Sequence, residues 1–134
     1  MRKISMLLFA CLCLITACTM QKTAPTRAEE IREQLWTCDE SSVIVVAHRA
    51  DWRNFPENSL EAIQSSIDMG VDMLEIDVQR TKDGVLMLMH DHDLNRMTNG
   101  TGNIADTTWE EISKLNLKDH QGNMTPYKVA KLED

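Results

Sequence analysis

The chain has 134 residues, 43% of them hydrophobic and 26% charged, with 14 basic residues against 21 acidic ones. A net charge of −7 excludes a broad positive field of the kind that holds nucleic acid. Any phosphate ligand must therefore be met locally, by a metal ion or a placed arginine.

Arg2 and Lys3 precede an apolar stretch from Met6 to Ala17, and Cys18 follows. A short basic region, a run of about a dozen apolar residues and a small residue before the cut describe a secretory signal peptide over residues 1–17. The run is too short for a spanning helix, which needs about 20 residues. Ile15-Thr16-Ala17-Cys18 resembles the bacterial lipobox. That resemblance implies lipidation of Cys18 and attachment to a membrane of the bacterial cell envelope, facing the periplasm or the surface. Each buried methylene of an acyl chain contributes about 0.8 kcal/mol to such an anchor. Beyond the leader, 12 basic residues face 21 acidic ones, a net charge of −9. Cys11, Cys13 and Cys18 belong to the targeting segment, which leaves Cys38 alone. One thiol builds neither an intramolecular disulfide nor a thiolate metal cluster.

Residues 18–42 are polar and read as a tether, with Ala28 to Trp36 forming a helical turn or more. A domain is expected from residue 43 to 134. Val43 to Ala47 is a β-branched apolar run, as for a strand buried on both faces. Asn58 followed by Glu61 resembles a capping box, opening a helix with an apolar face of Leu60, Ile63, Ile67 and Ala62 that stops at Gly70. Met73 to Val78 alternates, with Glu75 and Asp77 pointing opposite to Leu74, Ile76 and Val78. Lys82-Asp83-Gly84 signals a turn into a strand from Val85 to Met89. Thr108 with Glu111 caps a further helix through Leu115, and Pro126 punctuates a final loop. Strand, helix, strand in this order predicts a parallel α/β architecture.

The turn allows a test of which charged side chains share a face. A two-residue loop at Lys82-Asp83 sets His90 opposite Glu75, and one at Asp83-Gly84 sets His90 opposite Asp77. Both registers place Glu75, Asp77 and His90 on one side, with Ile76, Val78, Met87 and Met89 on the other. A one-residue bulge breaks this, because register parity decides the face. Two carboxylates two residues apart on a strand are about 6–7 Å apart and can reach one hard cation between them, Mg²⁺ or Ca²⁺ by their oxygen-only chemistry. A solvated acidic strand face is the competing reading. His48 and His90 are candidates for general base and general acid, since imidazole titrates near neutral pH. Arg49 has the fork geometry to hold a phosphate bidentately, or to form a surface ion pair.

His48-Arg49, Pro56-Glu57-Asn58-Ser59-Leu60-Glu61-Ala62, Glu75-Ile76-Asp77-Val78, Thr81-Lys82-Asp83-Gly84, His90-Asp91 and Leu94 to Gly102 resemble the glycerophosphodiester phosphodiesterase family. The resemblance implies a TIM (β/α)8 barrel that hydrolyses glycerophosphodiesters to glycerol 3-phosphate and an alcohol with a divalent cation. It implies His48 and His90 as the acid/base pair, Arg49 as a phosphate contact, and Glu75 and Asp77 as metal ligands. A complete barrel needs about 250 residues, so this chain reads as its N-terminal part. The family's further metal-binding glutamate is expected beyond Asp134, which leaves this portion inactive alone.

Ala50 stands where the family usually has glycine, Met97 where it has threonine, and Ala130-Lys131 where proline-threonine is common. A methyl at position 50 tightens the loop after His48. Asn99-Gly100-Thr101 and Asn123-Met124-Thr125 match the glycosylation pattern but read as coincidence, with Asn99-Gly100 as a turn. Alternative functions are a phospholipase- or sphingomyelinase-like barrel acting on intact lipids, and a non-catalytic lipoprotein that binds glycerophosphate groups.

Overall fold

The computed structural model describes residues 24–37 and 41–134. The signal peptide, the lipobox with Cys18, and Cys38 lie outside the described residues. The segment expected as a tether carries helix α1 (Arg27–Thr37), and that helix is docked. Its Ile31 is buried and its Arg27 forms an ion pair with Asp72. Asp72 also accepts from the Val45 N–H at 2.9 Å, so one carboxylate ties α1 to the entry of two strands. Among the described residues, no helix is long and apolar enough to cross a membrane.

The expected strand–helix–strand order appears as β1 (Val46–His48), α2 (Leu60–Asp68) and β2 (Met73–Glu75). β1 and β2 pair in parallel, with Val46 opposite Met73, Ala47 opposite Leu74 and His48 opposite Glu75. β1 departs from expectation in length and burial. Pairing begins only at Val46, and Val43 is 84% exposed. A parallel strand is buried when neighbours flank both its edges and helices cover its faces. β1 has one neighbour among the described strands, so its β-branched side chains stay open.

α2 starts one residue later than the capping box suggests. Ser59 is the cap, its hydroxyl accepting from the Ala62 N–H at 3.1 Å, while Asn58 sits in the left-handed region at φ 58°. The buried stripe is Ala62 and Ser66, whereas Leu60 and Ile67 are exposed. Small residues let the helix approach the loop after β1 closely: the Asp51 N–H donates to the Ala62 carbonyl at 3.3 Å. Gly70, at φ 74°, ends the helix where the sequence marks it.

The alternating run past Glu75 does not continue as one strand. It breaks at Ile76-Asp77 and resumes as β3 (Val78–Arg80), antiparallel to β4 (Leu86–Leu88). Thr81 closes against Val85 around a three-residue loop, Lys82-Asp83-Gly84, in which Gly84 takes φ 87°. The extra residue shifts the register by one, so Val78 faces Leu88 and Gln79 faces Met87. This overturns the face-sharing argument for Glu75, Asp77 and His90, through the parity change on which it depended.

A 3₁₀ turn (Ile104–Asp106) leads to α3 (Trp109–Ile112), which is shorter than expected. The Glu111 carboxylate accepts from the Thr108 amide at 2.9 Å, as in a capping box, and also from the Thr108 hydroxyl at 2.7 Å. The final loop is in fact a hairpin of β5 (Asn116–Lys118) and β6 (Met124–Lys128). Pro126 lies inside β6 next to the bulge between Asn116 and Lys118, a place where a strand tolerates proline. The core gathers Met87, Met89, Leu94, Met97, Ile104, Ile112, Leu117 and Val129 between these elements. Met97 is one of them, 2% exposed, so the departure at that position fills the core. The Asn99-Gly100 turn is held by paired bonds to Asn116, one through the Asn99 side chain at 2.8 Å.

Candidate active site

β1 and β2 run in parallel and in register, so their last residues, His48 and Glu75, emerge side by side at the carboxyl end. That end is where parallel α/β barrels carry their sites. His48 Nε2 lies 3.9 Å from Glu75 Oε2, an open pair with both side chains well exposed. The next residue turns the chain sharply: Arg49 and Ala50 both take positive φ, 55° and 60°. For non-glycine residues that conformation costs about 1–2 kcal/mol each, and the surrounding bonds hold it. The Arg49 N–H donates to the Glu75 carbonyl at 2.9 Å and to Glu75 Oε2 at 3.1 Å, and the Arg49 carbonyl accepts from the Asn58 N–H. Ala50 is 4% exposed, so its methyl is packed into the tightened loop.

The turn aims the Arg49 guanidinium between two carboxylates. Its Nη1 lies 3.2 Å from Glu57 Oε1 and its Nε 3.6 Å from Asp77 Oδ2. The Nε is buried and makes no hydrogen bond. Asp77 is fixed from its other side by Asn58, which donates from Nδ2 to Asp77 Oδ2 at 2.9 Å and accepts the Asp77 N–H at 3.0 Å. Asn58 thus serves Asp77 and the loop, and not the helix cap read from sequence.

Glu57 is shared. Besides Arg49 it receives both terminal nitrogens of Arg96, at 3.1 and 2.7 Å. Arg96 turns its remaining edge to Asp91, with Nε to Oδ2 at 2.6 Å and Nη2 to Oδ1 at 2.9 Å. Asp91 in turn meets His90 Nδ1 at 2.8 Å. The Arg96 guanidinium, and secondarily the His90 bond, hold the Asp91 carboxyl down at about 2 against the opposing effect of burial. A carboxyl lowered from 3.8 contributes stability above that value, and the contribution is lost as pH falls through about 2.

Of the expected site residues, Arg49 therefore meets Glu75 through its N–H and Asp77 through its guanidinium, and His48 lies beside Glu75. His90 joins them only through Asp91, Arg96 and Glu57. The sequence motifs contain Glu57, Asn58, Asp91 and Arg96, but sequence reasoning gives Asn58 only a helix-cap role and the other three none in the site. An open cleft of about 300 Å³ is lined by His48, Arg49, Trp52, Glu57, Arg96 and His120. His120, from the β5–β6 turn, packs edge-on against Trp52 at 5.9 Å between ring centroids.

Among the described residues, no group of three or more histidine, cysteine or acidic side chains converges to hold a metal ion. Glu75 and Asp77 supply two anionic groups, and among the described residues their side-chain bonds engage Oε2 and Oδ2. Oε1 and Oδ1 fit the oxygen chemistry of a hard divalent cation, as a partial ligand set.

β1, α2 and β2 form a parallel β–α–β unit with its polar residues at the carboxyl edge, the arrangement of an α/β barrel. Residues 48–134 match the model of the glycerophosphoryl diester phosphodiesterase family, and the chain belongs to that family. It is 49% identical over 72 residues to a glycerophosphodiester phosphodiesterase of Caldanaerobacter subterraneus, covering 54% of this chain and 30% of that protein. It is 42% identical over 74 residues to the human glycerophosphodiester phosphodiesterase 1, covering 55% and 22%. Among solved structures, a glycerophosphoryl diester phosphodiesterase from Parabacteroides distasonis superposes with a TM-score of 0.63 at 41% identity, covering 67% of this chain and 32% of that one. An Oleispira antarctica phosphodiesterase in complex with the product sn-glycerol-3-phosphate gives 0.60 at 30% identity, with 67% and 37% covered. The matches span about a third or less of the curated relatives' length.

Proposed function

We propose that the protein hydrolyses glycerophosphodiesters to glycerol 3-phosphate and an alcohol. The observation that carries this reading is the cluster of His48, Arg49, Glu75 and Asp77 at the carboxyl edge of β1 and β2, inside a region that matches the phosphodiesterase family. Arg49, rooted between Glu57 and Asp77, orients a non-bridging phosphate oxygen. One histidine takes a proton from the attacking water as the new P–O bond forms, or from the substrate's own glycerol hydroxyl, in which case a cyclic phosphate forms first and water then opens it to glycerol 3-phosphate. The other gives a proton to the departing alkoxide as the old P–O bond breaks, so neither strong base nor strong acid is released. Glu75 and Asp77 would hold a divalent cation, Mg²⁺ or Ca²⁺, which would neutralise the phosphate charge when bound.

The test is turnover of glycerophosphocholine by the protein at its native length, with and without Mg²⁺ or Ca²⁺. Cation-dependent release of glycerol 3-phosphate is expected. Hydrolysis of intact phospholipid or sphingomyelin in its place would transfer the site to the lipid-acting reading. Binding of glycerol 3-phosphate without turnover would make the protein a binder.

We further propose a lipid anchor on Cys18 that places the enzyme at the bacterial envelope. The support is the small-residue-then-cysteine ending of the apolar leader. Cys18→Ser is expected to leave the precursor unprocessed at that site. An acylated N-terminal peptide recovered from this variant by mass spectrometry would overturn the anchor.

A further inference from the structure

His90 does not line the cleft that holds His48 and Arg49, and among the described residues its ring bonds to Asp91, Nδ1 to Oδ1 at 2.8 Å. We propose that Arg96 is the positioning residue of His90: by clamping Asp91 it fixes the imidazole as the Nδ1–H tautomer and leaves Nε2 as the nitrogen that exchanges the proton. The inference rests on the reading of His90 as an acid/base group.

The argument is one of donors and acceptors. Asp91 stays ionised down to about pH 2, so near neutrality its oxygens only accept. The hydrogen in the 2.8 Å contact must then sit on Nδ1. An aspartate adjacent in the chain could leave that bond by rotating its side chain. Arg96 prevents this, because its Nε and Nη2 grip Oδ2 and Oδ1 in a fork that fixes the plane of the carboxylate. Glu57, only 13% exposed, holds the opposite edge of the same guanidinium and so anchors the clamp to the loop that also carries Arg49. From β3, Gln79 donates to the His90 carbonyl at 3.1 Å and meets His92 Nδ1 at 3.2 Å, which fixes the backbone of the loop and keeps the neighbouring imidazole turned to Gln79. The charged groups linked to His90 by hydrogen bonds are thus Asp91 and, through it, Arg96 and Glu57, with His92 bonded to a neutral amide. One carboxylate, Glu57, seats both the proposed phosphate arginine and the arginine that orders the histidine.

The tautomer is read directly by ¹⁵N NMR of histidine-labelled protein at native length, above the pH at which the ring is charged, with His90 assigned by substitution. Wild type is expected to show His90 protonated at Nδ1. Arg96→Met frees Asp91 and is expected to turn that species into a minority, with the more common Nε2–H form appearing. Arg96→Lys keeps the charge but not the fork and is expected to fall between the two. Glu57→Gln leaves the Arg96–Asp91 fork in place and is expected to keep the Nδ1–H form while lowering turnover through Arg49. An undiminished Nδ1–H signal in folded Arg96→Met, or in Arg96→Lys should the methionine variant not fold, overturns the proposal. Because the signal is recorded without substrate, absence of hydrolysis by the wild-type protein with this pattern intact would count against the proposed function and not against the clamp.

Discussion

Replacing His48 or His90 by alanine is expected to lower kcat/KM by about 10²–10⁴-fold, the usual contribution of one positioned proton-transfer group. In barrier terms each loss corresponds to about 3–5 kcal/mol. The fold is expected to survive both changes, because neither ring belongs to the core. The His48 side chain is 65% exposed and the His90 side chain 43%. The two variants should differ in one respect. Removing His48 leaves Glu75 bonded to the Arg49 amide and costs only a long, open contact. Removing His90 takes a donor from Asp91, which keeps Arg96. Thermal melts within a few degrees of wild type, alongside steady-state turnover of glycerophosphocholine, separate chemistry from folding. Near-normal turnover in either variant removes that histidine from the mechanism.

Local patterning made the β1–α2–β2 unit readable. A β-branched run, a cap motif and a glycine stop each depend on neighbours a few residues away, and they give the order strand, helix, strand, while the register of His48 with Glu75 is shown by the structure alone. The errors begin where one residue of loop geometry decides. A three-residue turn at Lys82 to Gly84 and a two-residue turn share the same composition, yet only the former sets Gln79 against Met87. The predicted grouping of charges on a common ladder face failed for that reason. His48, Glu75 and Asp77 are nevertheless brought together, by the sharp turn at Arg49-Ala50 and by Asn58.

The shared carboxylate of Glu57 was beyond sequence reasoning for a different reason. Its partner Arg96 lies 39 residues on, a separation at which periodicity carries no signal. The motifs that quote Pro56-Glu57-Asn58 and Leu94 to Gly102 place both residues in loops, but spacing alone does not say that the loops meet. β5 and β6 were missed because Pro126 reads as a breaker, and only the bulge next to it shows how a strand accommodates it. α1 was read as part of a tether because its charges are mixed. Its docking depends on Ile31 and on the Arg27–Asp72 pair, which spans 45 residues.

The two carboxylates are expected to respond differently to loss of charge, and the difference tests the proposed cation site. Glu75→Gln keeps an oxygen able to accept the Arg49 N–H at the position of Oε2, so the turn after β1 should hold. What it loses is one negative ligand, and the apparent affinity for Mg²⁺ or Ca²⁺ should fall by at least about 100-fold, the upper end of what even indirect ligand support contributes. Excess cation should restore part of its turnover. Asp77→Asn disturbs more. The new amide must present its oxygen to Asn58 Nδ2 and its NH₂ elsewhere, and the buried Arg49 Nε loses its only close counter-charge among the described residues. A partly buried arginine left with Glu57 alone shifts toward it and away from a substrate phosphate, since breaking a buried charge pair costs about 3–5 kcal/mol. Turnover of Asp77→Asn should therefore stay low at any cation concentration. The measurement is a cation titration of turnover for both variants, with calorimetric Mg²⁺ and Ca²⁺ binding recorded in parallel. Unchanged cation dependence in both would dismiss the pair as ligands and leave Glu75 and Asp77 as the supports of Arg49 alone.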